Sequence, residues 1–182
     1  MPTFVALLRG INNIGKTKRV PMADLRALLS DLGYTGVTTL LNSGNAVFRA
    51  PSGTPAKHSA NISDGLYTQL KVEVPVIVKS ASEWAAIVSE NPIKTGADEH
   101  SRFLVALVQN TKVLSTLAAI EPLVVPPEQF AIGKKAAYLL CAAGIPESKA
   151  GRALLGKAGK SVTTRNLATI LKLQALANER DA

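Results

Sequence analysis

Gly10-Ile11-Asn12-Asn13-Ile14-Gly15-Lys16-Thr17 spells G-x-x-x-x-G-K-T, the spacing of a phosphate-binding loop. In such a loop, backbone N–H groups wrap a phosphate while a lysine supplies positive charge. It follows an apolar run, Thr3 to Leu8, that reads as a strand. The chemistry also requires a helix to open at the Gly-Lys-Thr, with its N-terminus facing the anion. Here Lys18, Arg19, Val20 and Pro21 follow at once. Proline fixes its own φ, lacks a donor and pushes Val20 out of helical geometry. The helix should therefore begin near Pro21, roughly one turn too late for a nucleotide triphosphatase. No apolar strand ends in an aspartate placed to hold Mg²⁺. The expectation is a basic loop that binds some anion, with no metal and no cofactor.

Other chemistry-bearing residues are sparse. His58 and His100 lie far apart with no cysteine or paired acid around them, so no zinc site is expected. Cys141, the single cysteine, cannot form an internal disulfide and sits in the apolar run Ala136 to Ala142. It reads as an inert buried thiol in a reducing compartment. No carboxylate pair, Cys–His couple or G-x-S-x-G elbow nominates a base and a nucleophile. Ser43 beside lysines is a turn serine before it is a nucleophile.

The chain of 182 residues, 47% hydrophobic and 19% charged, has enough apolar material for a packed core. No apolar stretch approaches the roughly 20 residues of a membrane span, and Arg9 interrupts the N-terminal apolar run where a signal peptide would need continuity. A soluble, cytoplasmic protein is expected. The net charge of +8 is uneven. Lys134, Lys135, Lys149, Arg152, Lys157, Lys160, Arg165 and Lys172 share their segment with one acid, Glu147, while Arg9, Lys16, Lys18 and Arg19 have none among them. Such groups attract phosphate-bearing small molecules or a nucleic-acid backbone through long-range fields. A surface kept soluble by like charge would have the same composition.

The elements that must position these residues repeat. Thr3 to Leu8 is a strand. Met22 to Leu32 is a helix with Met22, Leu25, Leu28, Leu29 and Leu32 at helical spacing and Gly33 closing it. Val37 to Leu41 and Ala46 to Arg49 are strands joined by the turn Asn42-Ser43-Gly44-Asn45. A helix from about Ala56 to Leu70 turns Leu66, Tyr67 and Leu70 to the core, and Val74 to Val78 is a fourth strand. This is βαββαβ, the split unit of ferredoxin-like domains. After a linking helix, Ser82 to Ser89, the order restarts. It runs through a strand at Phe103 to Val108, a helix at Lys112 to Ile120 and a hairpin of Gln129 to Ile132 with Ala136 to Cys141. A helix at Ser148 to Leu155, a short strand at Ser161 to Thr163 and a final helix at Asn166 to Ala177, capped by Thr164, complete it. The predicted fold is α+β, two tandem ferredoxin-like (alpha-beta plait) domains with antiparallel sheets. The first covers 1–80, a linking helix and loop cover 81–100, and the second covers 101–182 with the final helix.

This topology predicts convergence. With strands one and two parallel and strand three antiparallel between them, the end of strand one lies beside the two–three turn. Arg9, Asn12, Lys16, Ser43 and Asn45 should then share one rim, a mixture of guanidinium, amide and hydroxyl donors suited to an oxyanion. Asn12, Asn42 and Asn45 could equally be there only to make turns. Thr163-Thr164-Arg165-Asn166 forms a second constellation. If Thr164 and Arg165 open the final helix, its orphan N–H groups and dipole favour an anion there too.

Leu7-Leu8-Arg9-Gly10-Ile11-Asn12, then Gly15-Lys16, Val20-Pro21-Met22 and Asn42-Ser43-Gly44-Asn45, resemble a widespread bacterial group, the domain-of-unknown-function family numbered sixteen-ninety-seven. Gly144-Ile145, Ser148-Lys149 and Thr163-Thr164-Arg165-Asn166 with Thr169 and Leu171 are similar to it as well. The resemblance implies a pair of alpha-beta plaits and no established activity. Thr17 stands where the family often has asparagine, and Leu167 where it usually has tryptophan.

Three functions remain open from sequence. The first is a non-catalytic module for a phosphate-bearing ligand or nucleic acid. The second is a small enzyme acting on a phosphorylated or acyl substrate, and the third a structural or oligomeric partner. RNA-binding ferredoxin-like domains stack bases on aromatics of strands one and three. Phe4, Phe48, Phe103 and Tyr138 occupy those strands here, but no RNP1-like run accompanies them.

Overall fold

The computed structural model describes residues 1–13, 15 and 18–182. The chain forms an α+β structure of two four-stranded antiparallel sheets and several helices, divided into two compact units. One comprises Met1–Trp84 and Leu173–Ala182, the other Ala85–Lys172.

In the first unit the order is β1 (Thr3–Leu8), α1 (Met22–Asp31), β2 (Thr35–Leu40), β3 (Asn45–Arg49), α2 (Pro55–Leu70) and β4 (Val76–Ser80). The strands align as β2-β3-β1-β4, all neighbours antiparallel, with Val5 opposite Val47 and Lys79. Alternation sends Phe4, Ala6 and Leu8 to one face, where α1 and α2 cover them. Pro21 precedes the first residue of α1, whose Leu25, Leu28 and Leu29 are buried. Gly33, at φ +85°, ends that helix while the Tyr34 N–H donates to the Leu29 carbonyl at 3.1 Å, a closure that favours glycine. Thr54 caps α2 by accepting from the Lys57 N–H at 3.2 Å, with Pro55 in the first turn. Gly65 lets α1 and α2 pack closely, since a Cβ there would lie 2.9 Å from Leu28 Cδ1.

Tyr67, expected in the core, is 61% exposed. Leu66 is buried, and the next residue stands about 100° further round the helix. The helix instead buries His58 against Phe4, Tyr34 and Phe48, with ring centroids 4.5, 5.2 and 5.8 Å away. The Tyr34 hydroxyl and His58 Nδ1 share a 2.9 Å hydrogen bond.

The second unit contains β5 (Phe103–Leu107), β6 (Gln129–Ile132), β7 (Ala136–Leu140), α4 (Lys149–Leu155) and β8 (Thr163–Asn166), ordered β6-β7-β5-β8. The label α3 is given to Ala81–Ser89, which crosses from the first unit, and α5 to Leu167–Asp181, which returns to it. The end of α5 is held within the first unit. The Thr3 hydroxyl donates to Asp181 at 2.6 Å, and the Arg180 guanidinium donates to the Thr38 hydroxyl.

The segment expected as a helix at Lys112 to Ile120 is a 3₁₀ run, Thr111–Leu123, rather than an α-helix. Its buried residues, Leu114, Leu117 and Ile120, recur every three positions, the 3₁₀ repeat. Ser115 and Thr116 hydroxyls donate to carbonyls three residues back, at 3.1 and 2.7 Å, competing for the α-helical acceptors.

Candidate functional site

The end of β1 and the β2–β3 turn meet as the strand order requires. The Leu8 N–H donates to the Gly44 carbonyl at 2.8 Å, and Asn12 Nδ2 donates to the Asn42 carbonyl at 2.8 Å. Gly44 takes φ +85°, and a Cβ there would fall 2.6 Å from Leu8 Cβ and 2.9 Å from Ile11 Cδ1. Only glycine permits this approach. The loop after β1 is closed at its base by the Asn12 N–H donating to the Lys18 carbonyl at 2.9 Å, and Lys18 Nζ donates to the Glu73 carbonyl at 2.7 Å.

Asn12, in the left-handed region at φ 56°, spends its side chain on the scaffold. Its Oδ1 accepts from the Val20 N–H at 2.9 Å, and its Nδ2 donates to the Val20 carbonyl at 2.8 Å as well as to Asn42. Asn45, fully buried, donates to the Leu40 carbonyl and to the Ser43 hydroxyl, each at 3.0 Å. Both asparagine amides thus build the rim. Arg9 differs. Its N–H donates to the Pro75 carbonyl at 3.0 Å, but its guanidinium makes no hydrogen bond or ion pair among the described residues. Partial burial holds that group below its ordinary pKa, with no carboxylate to offset the desolvation. Lys16 lies outside the described residues. The first helix opens at Met22, so the Gly-Lys-Thr does not lead directly into a helix N-terminus.

Thr164 and Arg165 are in β8, opposite Ala106 and Val105, rather than at the start of a helix. The residue that caps α5 is Asn166, whose Oδ1 accepts from the Thr169 N–H at 2.9 Å. Thr164 is therefore not the cap, because the strand continues to Asn166 before the backbone turns helical. Arg165 folds its Nη1 onto the Thr164 carbonyl at 2.8 Å, and burial pulls its pKa down to about 10.

Phe4, Phe48, Phe103 and Tyr138 are all buried, so none offers a ring face to a base. Cys141 is buried beside Gly151, and burial raises its thiol pKa. Among the described residues no group of three or more His, Cys, Asp or Glu side chains could hold a metal ion, and no helix is long and apolar enough to cross a membrane. A cavity of about 320 Å³ lined by Ser63, Asp64, Tyr67 and Glu73 carries two carboxylates, the wrong sign for an anion.

An α+β protein of two four-stranded antiparallel sheets and several helices is the class these features define. The chain belongs to the DUF1697 family, proteins of unknown function, whose model matches residues 1–138. The motifs at Gly144-Ile145, Ser148-Lys149 and Thr163 to Asn166 lie beyond that match. A structure described as that of conserved bacterial protein SP0830 from Streptococcus pneumoniae is similar over 97% of this chain and 98% of its own, with a TM-score of 0.77 and 22% identity. At that identity the likeness concerns the fold. No curated relative matches the sequence.

Proposed function

We propose that both units are ferredoxin-like (alpha-beta plait) domains and that the protein is a non-catalytic module that binds the oxyanion of a phosphate-bearing ligand at the rim around Arg9. The strand orders β4-β1-β3-β2 and β8-β5-β7-β6 support the first part. The observation that carries the second is the Arg9 guanidinium, partly desolvated and without a partner among the described residues. A guanidinium offers five donors in a fixed fork, and a bound oxyanion would use them. Gly10 and Gly15, with φ +72° and +73°, expose backbone after Arg9 in the sequence, with open space around each. Asn12, Ser43 and Asn45 position this rim, and Lys16 follows Gly15 in the sequence.

Thermal unfolding in the presence of inorganic phosphate, pyrophosphate and nucleoside phosphates tests the reading, because a ligand of the native state raises the transition. The expected result is an upward shift with at least one of these that Arg9→Ala removes. A shift of equal size in Arg9→Ala, or none with any of them, rejects it.

A further inference from the structure

Residues 148–178 of the chain contain Lys149, Arg152, Lys157, Lys160, Arg165 and Lys172 and no acid. Four of these are folded into one exposed knob of the second unit. Ser148 starts it, its hydroxyl accepting from the Gly151 N–H at 2.9 Å. Helix α4 then buries Ala150, Gly151 and Leu154 and leaves Lys149 and Arg152, one turn apart, on its exposed side. The chain reverses at Gly156 into a 3₁₀ turn, Lys157–Gly159, in which the Lys160 N–H reaches back to the Lys157 carbonyl at 3.4 Å. In that geometry positions three apart eclipse, so Lys157 and Lys160 project together.

The turn packs closely against α4. Gly159 is buried, and a Cβ built on it would lie 1.6 Å from the Leu154 carbonyl oxygen. The 3₁₀ turn is thus pressed onto the end of the helix, and all four cations stay within one short, closed segment. The Arg152 guanidinium donates to the Pro146 carbonyl and is drawn toward the base of the knob. Lys149 lines a cavity together with Glu128 and Glu147, whereas Arg152, Lys157 and Lys160 have no acid in their own segment, and an anionic partner would be drawn to the charge concentrated there.

We infer that this knob is a docking surface for the phosphodiester backbone of nucleic acid, read without regard to base sequence. It uses none of the residues of the Arg9 rim and does not depend on that reading. Every cation on it is exposed, and no exposed aromatic ring within it could stack on a base. Its chemistry is therefore that of a charge contact with phosphates. Leu155, 49% exposed at the end of α4, is its only exposed large apolar side chain. One leucine beside four cations favours a phosphate backbone over insertion into a bilayer.

The test is fluorescence anisotropy of the full chain with a short labelled duplex DNA across a salt series. Four phosphate contacts predict a slope of log K against log salt of about −3.6. Binding should then weaken about a hundredfold between roughly 50 and 200 mM salt. The double variant Lys157→Gln/Lys160→Gln should halve that slope. Lys71→Gln/Lys94→Gln removes the same charge from exposed positions elsewhere and should leave the slope at its wild-type value. Equal losses in the two double variants, or no binding at about 50 mM salt, would overturn the inference. So would binding to phosphatidylserine vesicles that duplex DNA does not displace and Leu155→Ala abolishes, which would make the knob a lipid contact.

Discussion

Asn12 Nδ2 donates to the Asn42 carbonyl at 2.8 Å while Asn12 Oδ1 accepts from the Val20 N–H at 2.9 Å. One side chain thereby ties the loop after β1 to the β2–β3 turn and to the chain entering α1. It joins three separate segments, beside which the Arg9 guanidinium makes no hydrogen bond or ion pair among the described residues.

Asn12→Ala removes these bonds and leaves a non-glycine residue in the left-handed region. The expected destabilisation is about 1–3 kcal/mol, measured as a lower urea midpoint with an unchanged slope. Asn12→Gly relieves the backbone but not the lost bonds, so it should recover only part of the loss. Full recovery would show that Asn12 serves its φ angle and not its amide.

Arg9→Ala should weaken binding of the phosphate-bearing ligand by about ten- to a hundredfold, the worth of a charge-assisted hydrogen bond of roughly 1.5–3 kcal/mol. Arg9→Lys should restore part of that affinity, since a point charge cannot reproduce a bidentate fork. Isothermal titration on both variants separates the two effects. Equal affinity in Arg9→Lys and the unaltered protein would mean that charge alone matters.

His58 predicts an acid-sensitive fold. The imidazole is 3% exposed and Nε2 has no hydrogen-bond partner of good geometry. Burial, then the charge of Lys57, hold its pKa below the ordinary value, partly opposed by the Ser52 backbone. The unfolded chain therefore binds a proton near pH 6.5 that the folded chain resists. Stability from this group is complete above that pH and is lost as pH falls, by at most about 1.4 kcal/mol per pH unit. Urea unfolding between about pH 5 and 8 should show this decline. His58→Gln, which cannot titrate, should flatten it, and an equally steep decline in that variant would assign the effect to other groups.

Gly159→Ala puts a methyl group where the Leu154 carbonyl already stands, so the turn must move. A loss of about 1–3 kcal/mol is expected, with faster amide hydrogen exchange confined to the knob. Unaltered exchange there would mean that the turn is not fixed by this contact.

Much of the framework is legible along the chain. Thr3–Leu8 and Gln129–Ile132 form strands with the bounds expected from the sequence, α1 starts after Pro21, and Gly33 stops it. These are decisions of local backbone and of spacing, made by residues a few positions apart. What the sequence left open lies farther along the chain. Asn12 could have been a ligand donor or a turn residue, and its amide hydrogens are claimed by carbonyls 8 and 30 positions away. Tyr67 had a place in an apolar stripe, yet only the packing of α2 on the sheet decided that Leu66 would fill the core and leave it outside. Thr164 could cap a helix until pairing with β5 extended β8 through Asn166. The sequence by itself determined most of the elements and the excess of positive charge. Tertiary structure decided which polar groups are consumed in construction, because a hydrogen-bond donor is spent or available only according to the acceptors that the fold brings within reach.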